Sequence, residues 1–366
     1  MKIVSTSYIN TPEYDDPGKW LDRISFHTIV LEQLAKCHEI VSIEQINYEG
    51  YLHRNRVHYH FYNSKKKRLL LPFKLHRYIK KMKPDIVIVN GLIFPLQLIQ
   101  LKWRIGNKIK IIGLHHAEKP FKGIKTYLQK LADRYINTYF FSSIETGMEW
   151  VNKGIIKNSN KIVEVMEASS SFQPMNRNEA ISITKIKGRP VYLWVGRLNA
   201  NKDPLTVIKA FKRFVKTCPE ARLCMIYQTE DLLNEVKDLI SSGDLNNEAV
   251  VLIGKIPHNN LQAWYNSADF IISGSHYEGS GVAICEAMSC GCIPVLTNIN
   301  SFRTMTGDGR CGWLYEKGNI DDLLAALSKT ITSDLPSERE KVFQQYKNVL
   351  SPQAIAEKIN TVIQKL

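Results

Sequence analysis

Two glutamates that lie eight positions apart around a glycine-rich turn are the residues of this chain best suited to chemistry. The apolar segment 270–272 before them is typical of a buried strand, and the residues from 282 onward are typical of a helix. Glu278 is therefore expected in the loop between strand and helix, and Glu286 inside the helix. Glycines let a ligand approach the backbone, and the unpaired N–H groups of a helix start favour an anion. Such a site suits a ligand that carries both hydroxyl groups and phosphate.

A second block of chemical interest lies upstream, in the segment 195–204. It contains Arg197 and Lys202, two cations five positions apart. Two fixed cations can stabilise the negative charge that a departing diphosphate gains, without a metal. The alternative is that both are ordinary surface charges, as most basic residues are. Because both blocks follow strand ends, and ligands bind at the carboxyl ends of parallel strands, the two blocks can share one cleft.

These two blocks carry a resemblance to a known family. The segment from Glu278 to Glu286, continued by residues 287–295, resembles the Glu-x7-Glu signature of family 4 retaining glycosyltransferases, which have the GT-B fold. The segment 195–204 resembles the Gly-Arg-Leu…Lys donor-phosphate loop of the same family. The resemblance is strong over residues 190–330 and weaker in the N-terminal half. Ser280 departs from the pattern, because the family more often has an aromatic residue there.

The resemblance implies a binding site for a nucleotide-sugar donor in the second half of the chain. Arg197 and Lys202, beside Gly196, would bind the diphosphate, and Glu286 would bind the ribose hydroxyls. Glu278 would hold the sugar hydroxyls and the distal phosphate together with the backbone that follows it, namely Gly279, Ser280, Gly281 and Val282. The segment after a predicted strand would line the nucleotide base, namely Gly254, Lys255 and Ile256. For that segment, a plain strand-to-loop exit is the alternative.

Two histidines end a predicted strand in the first half. His115 and His116 follow the strand 109–114, and many members of the resembled family carry a histidine at this strand end, near the reacting sugar. We favour His116, with His115 as the alternative register, and a purely structural role is the other reading. Gly18 lies where relatives have a richer glycine loop, which suggests an acceptor-side or phosphate role for residues 17–19.

The resemblance also implies that transfer retains the anomeric configuration of the sugar. No dedicated nucleophile is evident, so we favour a front-face substitution, in which the departing phosphate helps to deprotonate the acceptor. A covalent intermediate on Glu278 is the minority alternative. The sequence has no Asp-x-Asp metal motif. We therefore expect no metal and no cofactor besides the nucleoside-diphosphate sugar that serves as co-substrate.

Each half of the chain is predicted to form a doubly wound parallel α/β sheet, because strand and helix patterns alternate with short connections. The predicted strands of the first half are 2–5, 39–44, 85–90, 109–114 and 138–142, and its helices are 22–36, 72–82, 94–103 and 124–136. The predicted strands of the second half are 191–195, 222–227, 249–253, 270–273 and 293–297. Asp203 and Pro204 specify the start of a helix over 204–216.

The predicted domain boundary lies in the Ser/Asn/Lys-rich stretch 169–189. Residues 1–170 are expected to form a Rossmann-like acceptor domain and residues 171–350 a Rossmann-like donor domain, which face a central cleft in the GT-B fold. Residues 351–366 contain an amphipathic helix with isoleucines four positions apart. The resemblance implies that this helix crosses back onto the N-terminal domain.

Length and composition fit a soluble globular protein with two domains. The chain has 366 residues, of which 44% are apolar and 23% charged. No apolar run reaches the ~18–20 residues needed to span a bilayer, and the N-terminus becomes polar too soon for a signal peptide. The seven cysteines have no metal-binding spacing, and Cys290 and Cys292 fit a buried turn. We therefore expect a cytoplasmic protein.

The net charge of +14 is concentrated in one region, residues 51–110. This region has fifteen Lys or Arg and a single acid, Asp85, whereas the rest of the chain carries 34 charges of each sign. Within it, segments 65–71 and 73–81 combine cations with apolar residues, a pattern that suits an anionic membrane surface and a lipid-linked acceptor. A sheet-covering helix with a solvated charged face is the alternative. No nucleic-acid-binding signature accompanies the region, so nucleic acid is not an expected partner.

Together these patterns predict a retaining, metal-independent glycosyltransferase of cell-surface polysaccharide or lipopolysaccharide biosynthesis. It would use a glycan or lipid-linked acceptor, in the cytoplasm or peripherally on the inner face of the plasma membrane. Two other classes stay open. A GT-B hydrolase, phosphorylase or epimerase would turn over the sugar nucleotide without an acceptor glycan. A non-catalytic polyanion-binding protein would bind without turnover.

Overall fold

A computed structural model of the chain describes residues 1–63, 70–242 and 249–366, and these form two compact units. The first unit consists of Met1–Ser169 together with Pro352–Leu366, and the second consists of Ser170–Ser351. The sequence placed the boundaries after residues 170 and 350, and the structure places them after residues 169 and 351. The stretch 169–189 contains one helix, α7 below.

The first unit is built on an eight-stranded sheet. Its strands are β1 (Lys2–Ser7), β2 (Glu39–Glu44), β3 (Gly50–Arg54), β4 (Val57–Phe61), β5 (Ile86–Asn90), β6 (Lys110–Leu114), β7 (Thr138–Phe141) and β8 (Ile162–Glu164). They lie in the order β3-β4-β2-β1-β5-β6-β7-β8. All neighbours are parallel except β3 and β4, which form an antiparallel hairpin at the sheet edge. The sequence had not predicted this hairpin.

The helices of the first unit cover its sheet. In chain order they are α1 (Pro17–Arg23), α2 (Ser25–Leu34), α3 (Phe73–Lys81), α4 (Pro95–Ile105), α5 (Lys125–Asp133) and α6 (Ile144–Asn152). The single helix predicted over 22–36 is wrong, because the chain leaves the helical conformation at Ile24 and separates α1 from α2. The first of these helices starts earlier than predicted because the Asp16 carboxylate caps it.

The second unit is built on a six-stranded parallel sheet. Its strands are β9 (Val191–Gly196), β10 (Arg222–Tyr227), β11 (Val250–Gly254), β12 (Phe270–Ser273), β13 (Ile293–Thr297) and β14 (Trp313–Tyr315). They lie in the order β11-β10-β9-β12-β13-β14, and all neighbouring pairs are parallel. The chain winds outward in one direction from β9 and in the other from β12. The carboxyl ends of these two strands therefore flank a topological switch point, where ligands of open α/β sheets bind.

The described part of the second unit contains eight α-helices, five of which connect consecutive strands. They are α7 (Arg177–Thr184), α8 (Pro204–Phe214), α9 (Leu233–Ser241), α10 (Leu261–Ser267), α11 (Val282–Ser289), α12 (Asn300–Thr306), α13 (Ile320–Ile331) and α14 (Leu335–Gln345). The predicted start of α8 is confirmed. Asp203 accepts a hydrogen bond from the backbone N–H of Thr206 at 3.1 Å, and Pro204 is the first helical residue.

The last helix, α15 (Pro352–Ile363), belongs to the first unit and packs against α2. Its apolar face is buried through Ile355, Ile359 and Ile363. A hydrogen bond of 2.8 Å between His38 Nε2 and Asn360 Oδ1 accompanies this packing. The first unit is therefore assembled from both ends of the chain.

Each unit has its own apolar core between sheet and helices. In the second unit, for example, Tyr192 stacks on Phe270 with 4.8 Å between ring centroids. Cys290 and Cys292 are buried between α11 and β13, which confirms the turn predicted for them. Within the residues described, none of the helices is long and apolar enough to cross a membrane.

Candidate functional site

The loop after β9 carries the two predicted phosphate-binding cations. Arg197 is exposed, and Lys202 is partly buried at the end of the loop. The loop is held by hydrogen bonds from the backbone N–H of Lys202 to the backbone and side-chain oxygens of Asn199, both at 3.1 Å. A Cβ atom on Gly196 would lie 3.2 Å from the Trp194 ring and 3.6 Å from Cδ of Lys202. The glycine therefore leaves room beside the lysine.

The structure brings this loop into contact with the loop after β12. The Nζ atom of Lys202 forms an ion pair with Oε1 of Glu278. The Asn201 side chain donates a hydrogen bond to the Tyr277 carbonyl at 3.0 Å, and the His276 N–H donates to the Asn201 carbonyl at 2.8 Å. Two blocks that lie about eighty positions apart in the sequence thus form one local site at the switch point.

The glycine-rich turn leads directly into α11. Gly279 and Ser280 are buried, and Val282 is the first residue of the helix. Gly281 is the N-cap and has φ +57°, in the left-handed region that favours glycine. Its Cβ position lies 2.8 Å from Cε1 of Phe302, so a side chain has no room there. Because the N-cap residue is a glycine, no N-cap side chain accepts hydrogen bonds from the first backbone N–H groups of α11.

Glu286 is a buried carboxylate with a specific donor for each oxygen. Only 5% of the residue is exposed. Oε2 accepts a hydrogen bond from the Tyr265 hydroxyl at 3.1 Å, and Oε1 lies 2.6 Å from Nε2 of His258. Burial and the neighbouring carboxylate raise the pKa of Tyr265 well above its usual value, so its hydroxyl stays a donor. A carboxylate held in this way has the fixed orientation that binding a pair of hydroxyls requires.

His258 and Tyr265 were not predicted as site residues. The predicted base-binding segment, Gly254, Lys255 and Ile256, leads from β11 to His258, whose ring packs on Phe172 at a centroid distance of 5.1 Å. The available sequence signal was a histidine just beyond that segment. Its pairing with a glutamate 28 positions later is visible only in the fold.

A second group of polar residues lies in the first unit, at the carboxyl end of β6. His115 is buried, shares a hydrogen bond of 2.9 Å with the Glu118 carbonyl through Nε2, and packs on Phe141. His116 instead keeps 27% of its side chain exposed, and its Nδ1 lies 2.7 Å from Oε2 of Glu167. The geometry therefore favours His116 as the accessible histidine and gives His115 a structural role.

The Glu167 carboxylate determines the charge of this group. Burial alone would lower the pKa of His116, but Glu167 raises it, and the net shift is upward. Burial would raise the pKa of Glu167, but His116 lowers it, and the net shift is downward. Nearby, burial and then the charge of His116 lower the pKa of His27 to about 4. The contact thus favours the charged forms of His116 and Glu167, whereas burial favours the neutral form of His27. The sequence did not predict Glu167, which follows β8 by three residues.

A strained loop positions the two histidines. Ala117 has φ +63°, an uncommon value for a residue other than glycine. This turn brings the Glu118 carboxylate back to accept hydrogen bonds from the N–H of His116 at 2.6 Å and of Leu92 at 2.9 Å. Backbone strain of this kind persists where surrounding contacts hold it, and it concentrates at functional sites.

Gly18 and the two basic segments were also predicted to contact the acceptor or a membrane. Gly18 lies in the first turn of α1, and its N–H donates to the Asp16 carboxylate at 2.7 Å, so that donor is engaged within the helix cap. Residues 65–69 of the predicted membrane segment lie outside the described residues. Segment 73–81 is α3, which covers the sheet with Leu75 and Ile79 and keeps a basic face exposed. Among the residues described, no three His, Cys, Asp or Glu side chains form a cluster that could hold a metal ion.

Comparison with known proteins identifies relatives, and the family match lies within the second unit. Residues 176–349 match the family model described as "Glycosyl transferases group 1". The poly(glycerol-phosphate) alpha-glucosyltransferase of Bacillus subtilis is 31% identical over 165 residues, which are 44% of this chain and 24% of that protein. An uncharacterized glycosyltransferase of Methanocaldococcus jannaschii is 30% identical over 263 residues, 64% of this chain and 63% of that protein. The matches thus span less than two thirds of the length of these relatives.

A solved structure resembles the whole chain. The Anabaena protein HepE, crystallised in complex with UDP, matches with a TM-score of 0.75 and 14% sequence identity, covering 100% of both chains. At this identity the match concerns the fold alone. Together with the two parallel-sheet units, it confirms the fold class predicted from the sequence.

Proposed function

We propose that this chain, whose residues 176–349 belong to the group 1 glycosyl transferases, moves a sugar from a nucleoside-diphosphate sugar to a glycan or lipid-linked acceptor. The observation that carries the proposal is the local site of the second unit. There the Lys202–Glu278 pair and the oriented, buried Glu286 lie on loops and a helix at the switch point of the sheet. This arrangement offers cations for a diphosphate and carboxylates for hydroxyl groups.

Three side chains of this site have proposed roles toward the donor. Lys202, together with the exposed Arg197, stabilises the negative charge that builds up on the leaving diphosphate. Glu286 accepts hydrogen bonds from the ribose hydroxyls in the orientation that His258 and Tyr265 fix. In support, HepE has been crystallised with UDP, and the matched curated relatives are named glycosyltransferases.

We further propose that transfer retains the anomeric configuration and uses no metal. Glu278 is held by the Lys202 ammonium, which makes its carboxylate a poor nucleophile and favours front-face substitution over a covalent intermediate. The diphosphate charge is met by cationic side chains, so a metal is not needed for that role. His116, whose contact with Glu167 favours its charged form, is the residue of the first unit proposed to serve the reacting sugar.

The proposed acceptor belongs to cell-surface polysaccharide or lipopolysaccharide synthesis, at the cytoplasmic face of the membrane. Two observations support this part. The concentration of positive charge in residues 51–110 suits an anionic partner, and α3 exposes a basic face. One matched relative is named as a glucosyltransferase of poly(glycerol-phosphate), a phosphate-rich polymer.

The test begins with a thermal-shift screen against UDP, GDP, ADP, CMP and their sugar conjugates, followed by transfer assays with the stabilising donor. Glu286→Ala and Lys202→Ala are expected to reduce transfer by about 100-fold or more, the size seen when one group that stabilises a transition state is removed. Lys209→Ala and Glu235→Ala remove exposed charges from α8 and α9 and serve as matched controls with wild-type rates. Wild-type transfer in a folded Glu286→Ala protein would refute the assigned site.

The same assays separate the alternatives. Activity in EDTA is expected to equal activity without it, and loss in EDTA that Mg²⁺ or Mn²⁺ restores would refute metal independence. Donor turnover that no acceptor accelerates would indicate a hydrolase, phosphorylase or epimerase. Retention is checked by NMR of the anomeric centre in the product. An inverted centre would refute the front-face mechanism.

A further inference from the structure

A pocket of about 570 Å³ lies at the edge of the sheet of the first unit. One wall is the β3–β4 hairpin, through Tyr51 and His60, with Tyr62 just after it, and the other wall is α3. None of the residues assigned to the donor site or to the His116 group lines it. Its size is typical of pockets that hold a small ligand or one group of a larger one.

The wall formed by α3 is cationic. Lys74, Arg77 and Lys81 all line the pocket, and their spacing of three and four positions places them on one face of the helix. All three are exposed, and in the described parts of the chain no acid lies within ion-pair distance of them. Glu49 is the one acid among the described lining residues. Three cations without ion pairs therefore converge on a concave surface that carries a single carboxylate.

Aromatic contacts tie the hairpin to the helix. The Tyr78 hydroxyl shares a hydrogen bond with Nδ1 of His60 and lies 3.5 Å from the Tyr51 hydroxyl. Tyr51 packs edge-on against His60, with ring centroids 4.6 Å apart, yet remains 72% exposed. An exposed aromatic ring fixed by its neighbours gives a rigid, partly apolar surface beside the cations. The pocket is thus defined by side chains from two elements and not by a single charged helix face.

We propose that this pocket binds a phosphate group of the acceptor. Arg77 supplies the planar fork that binds phosphate oxygens in pairs, Lys74 and Lys81 add charge, and the tyrosines contact the organic group attached to the phosphate. The identification of the phosphate as part of the acceptor rests on the proposed function. The binding itself does not, because it follows from the pocket alone.

The experiment is calorimetric titration of the full chain with inorganic pyrophosphate at about 0.15 M salt, where exposed charges more than ~8 Å apart are largely screened. All titrations use a Lys202→Ala variant. This substitution weakens pyrophosphate binding at the proposed donor site, so that the remaining binding reports on the pocket. In this background, Arg77→Ala combined with Lys81→Ala is expected to weaken binding by about tenfold or more. Arg77→Lys, which keeps the charge and loses the fork, should weaken it less. Arg77 and Lys81 are exposed, so their substitution is expected to keep the fold intact, and thermal unfolding of each variant checks this.

Lys80→Ala is the matched control. Lys80 lies on the same helix, is exposed, and does not line the pocket, so its removal changes the net charge of the helix without changing the site. We expect it to change pyrophosphate affinity by less than about twofold, since distant exposed charges are screened. If Lys80→Ala weakened pyrophosphate binding as much per charge as the Arg77→Ala, Lys81→Ala double variant does, the proposal would be overturned, because the attraction would then be diffuse. Absence of pyrophosphate binding in the Lys202→Ala background would overturn it as well.

Binding to lipid vesicles distinguishes a phosphate carried by a lipid from a soluble phosphate group. Co-sedimentation with phosphatidylglycerol vesicles that the Arg77→Ala, Lys81→Ala protein loses would assign the site to a lipid-borne phosphate. Pyrophosphate binding without vesicle binding would assign it to a soluble phosphate group. Phosphatidylcholine vesicles serve as the neutral control. If pyrophosphate binds at this pocket but the wild-type chain transfers no sugar, the proposed phosphate site is supported and the proposed function is refuted.

Discussion

At the scale of single residues, the charge of His116 depends on one neighbour, Glu167. Their Nδ1 and Oε2 atoms lie 2.7 Å apart, and the pKa of His116 is raised while that of Glu167 is lowered. A raised histidine pKa stabilises the fold fully below the ordinary value near 6.5, and this contribution is lost as pH rises through the folded-state pKa. The lowered glutamate pKa contributes above its ordinary value near 4.5, and that contribution is lost as pH falls. The pair therefore stabilises the protein most between these two values.

Glu167→Gln should lower the pKa of His116, because burial is then opposed only by the weaker effect of Glu118. It should reduce the free energy of unfolding near pH 6 by ~1–3 kcal/mol, the usual effect of leaving a partly buried charged group without its partner. The difference in the free energy of unfolding between variant and wild type should narrow as pH rises past the pKa that His116 has in the wild-type protein. NMR titration of the histidine Cε1–H signals and urea unfolding at several pH values measure both effects.

Glu164→Gln is the control for this prediction. Glu164 ends β8 and lies 3.6 Å from Lys358 of α15, so its removal changes a nearby carboxylate without touching the histidine. A titration of His116 that is the same in the Glu167→Gln protein and in wild type would show that the carboxylate does not set the histidine charge.

At the scale of elements, the turn before α11 depends on glycine at position 281. Gly281→Ala would place a side chain at φ +57° and 2.8 Å from the Phe302 ring. Backbone strain and overlap together should lower the free energy of unfolding by ~1–3 kcal/mol. Because the turn also sets the start of α11, nucleotide binding should weaken by about tenfold or more, as positioned backbone donors are lost. Urea unfolding and calorimetric nucleotide titration measure the two effects.

Gly318→Ala separates the two causes. Gly318 has φ +73°, but its Cβ position has only an ordinary contact of 3.9 Å, with Cε1 of His276. This variant should show the strain effect alone and leave nucleotide affinity unchanged. If Gly281→Ala destabilised the protein no more than Gly318→Ala and bound nucleotide normally, the turn would not be the constraint that we describe.

Sequence patterns predicted some of these elements and missed others. The strands of the second unit were predictable because each is a short apolar run between turn residues, as in Phe270–Ser273. The β3–β4 hairpin was missed, although Val57–Phe61 alternates histidine with apolar residues as half-buried strands do, because β3 is mostly exposed and carries no matching signal. The same limit applies to the site. Glu286 was predictable from its apolar flanks, whereas its partners His258 and Tyr265 come from 28 and 21 positions away and require the fold.

At the scale of the whole molecule, the first unit is discontinuous in sequence. Its sheet and six of its helices end at Ser169, and its last helix begins at Pro352. The intervening residues Ser170–Ser351 form the second unit. The contact between α2 and α15 therefore joins two segments that Ser170–Ser351 separates in the sequence. The stability of the first unit thus depends on a short helix whose own contribution can be measured.

Ile359→Ala tests this dependence in the intact chain. Ile359 is buried in the α15–α2 contact, and removing most of such a side chain usually costs about 2–5 kcal/mol. Amide hydrogen exchange should accelerate in α2 and α15 and remain unchanged in β9 and β12, which belong to the other unit. Ile331→Ala, at an exposed position of α13, should leave both sets of amides unchanged. Equal acceleration in both units would show that the chain unfolds as one cooperative body, and α15 would then stabilise the whole molecule and not the first unit alone.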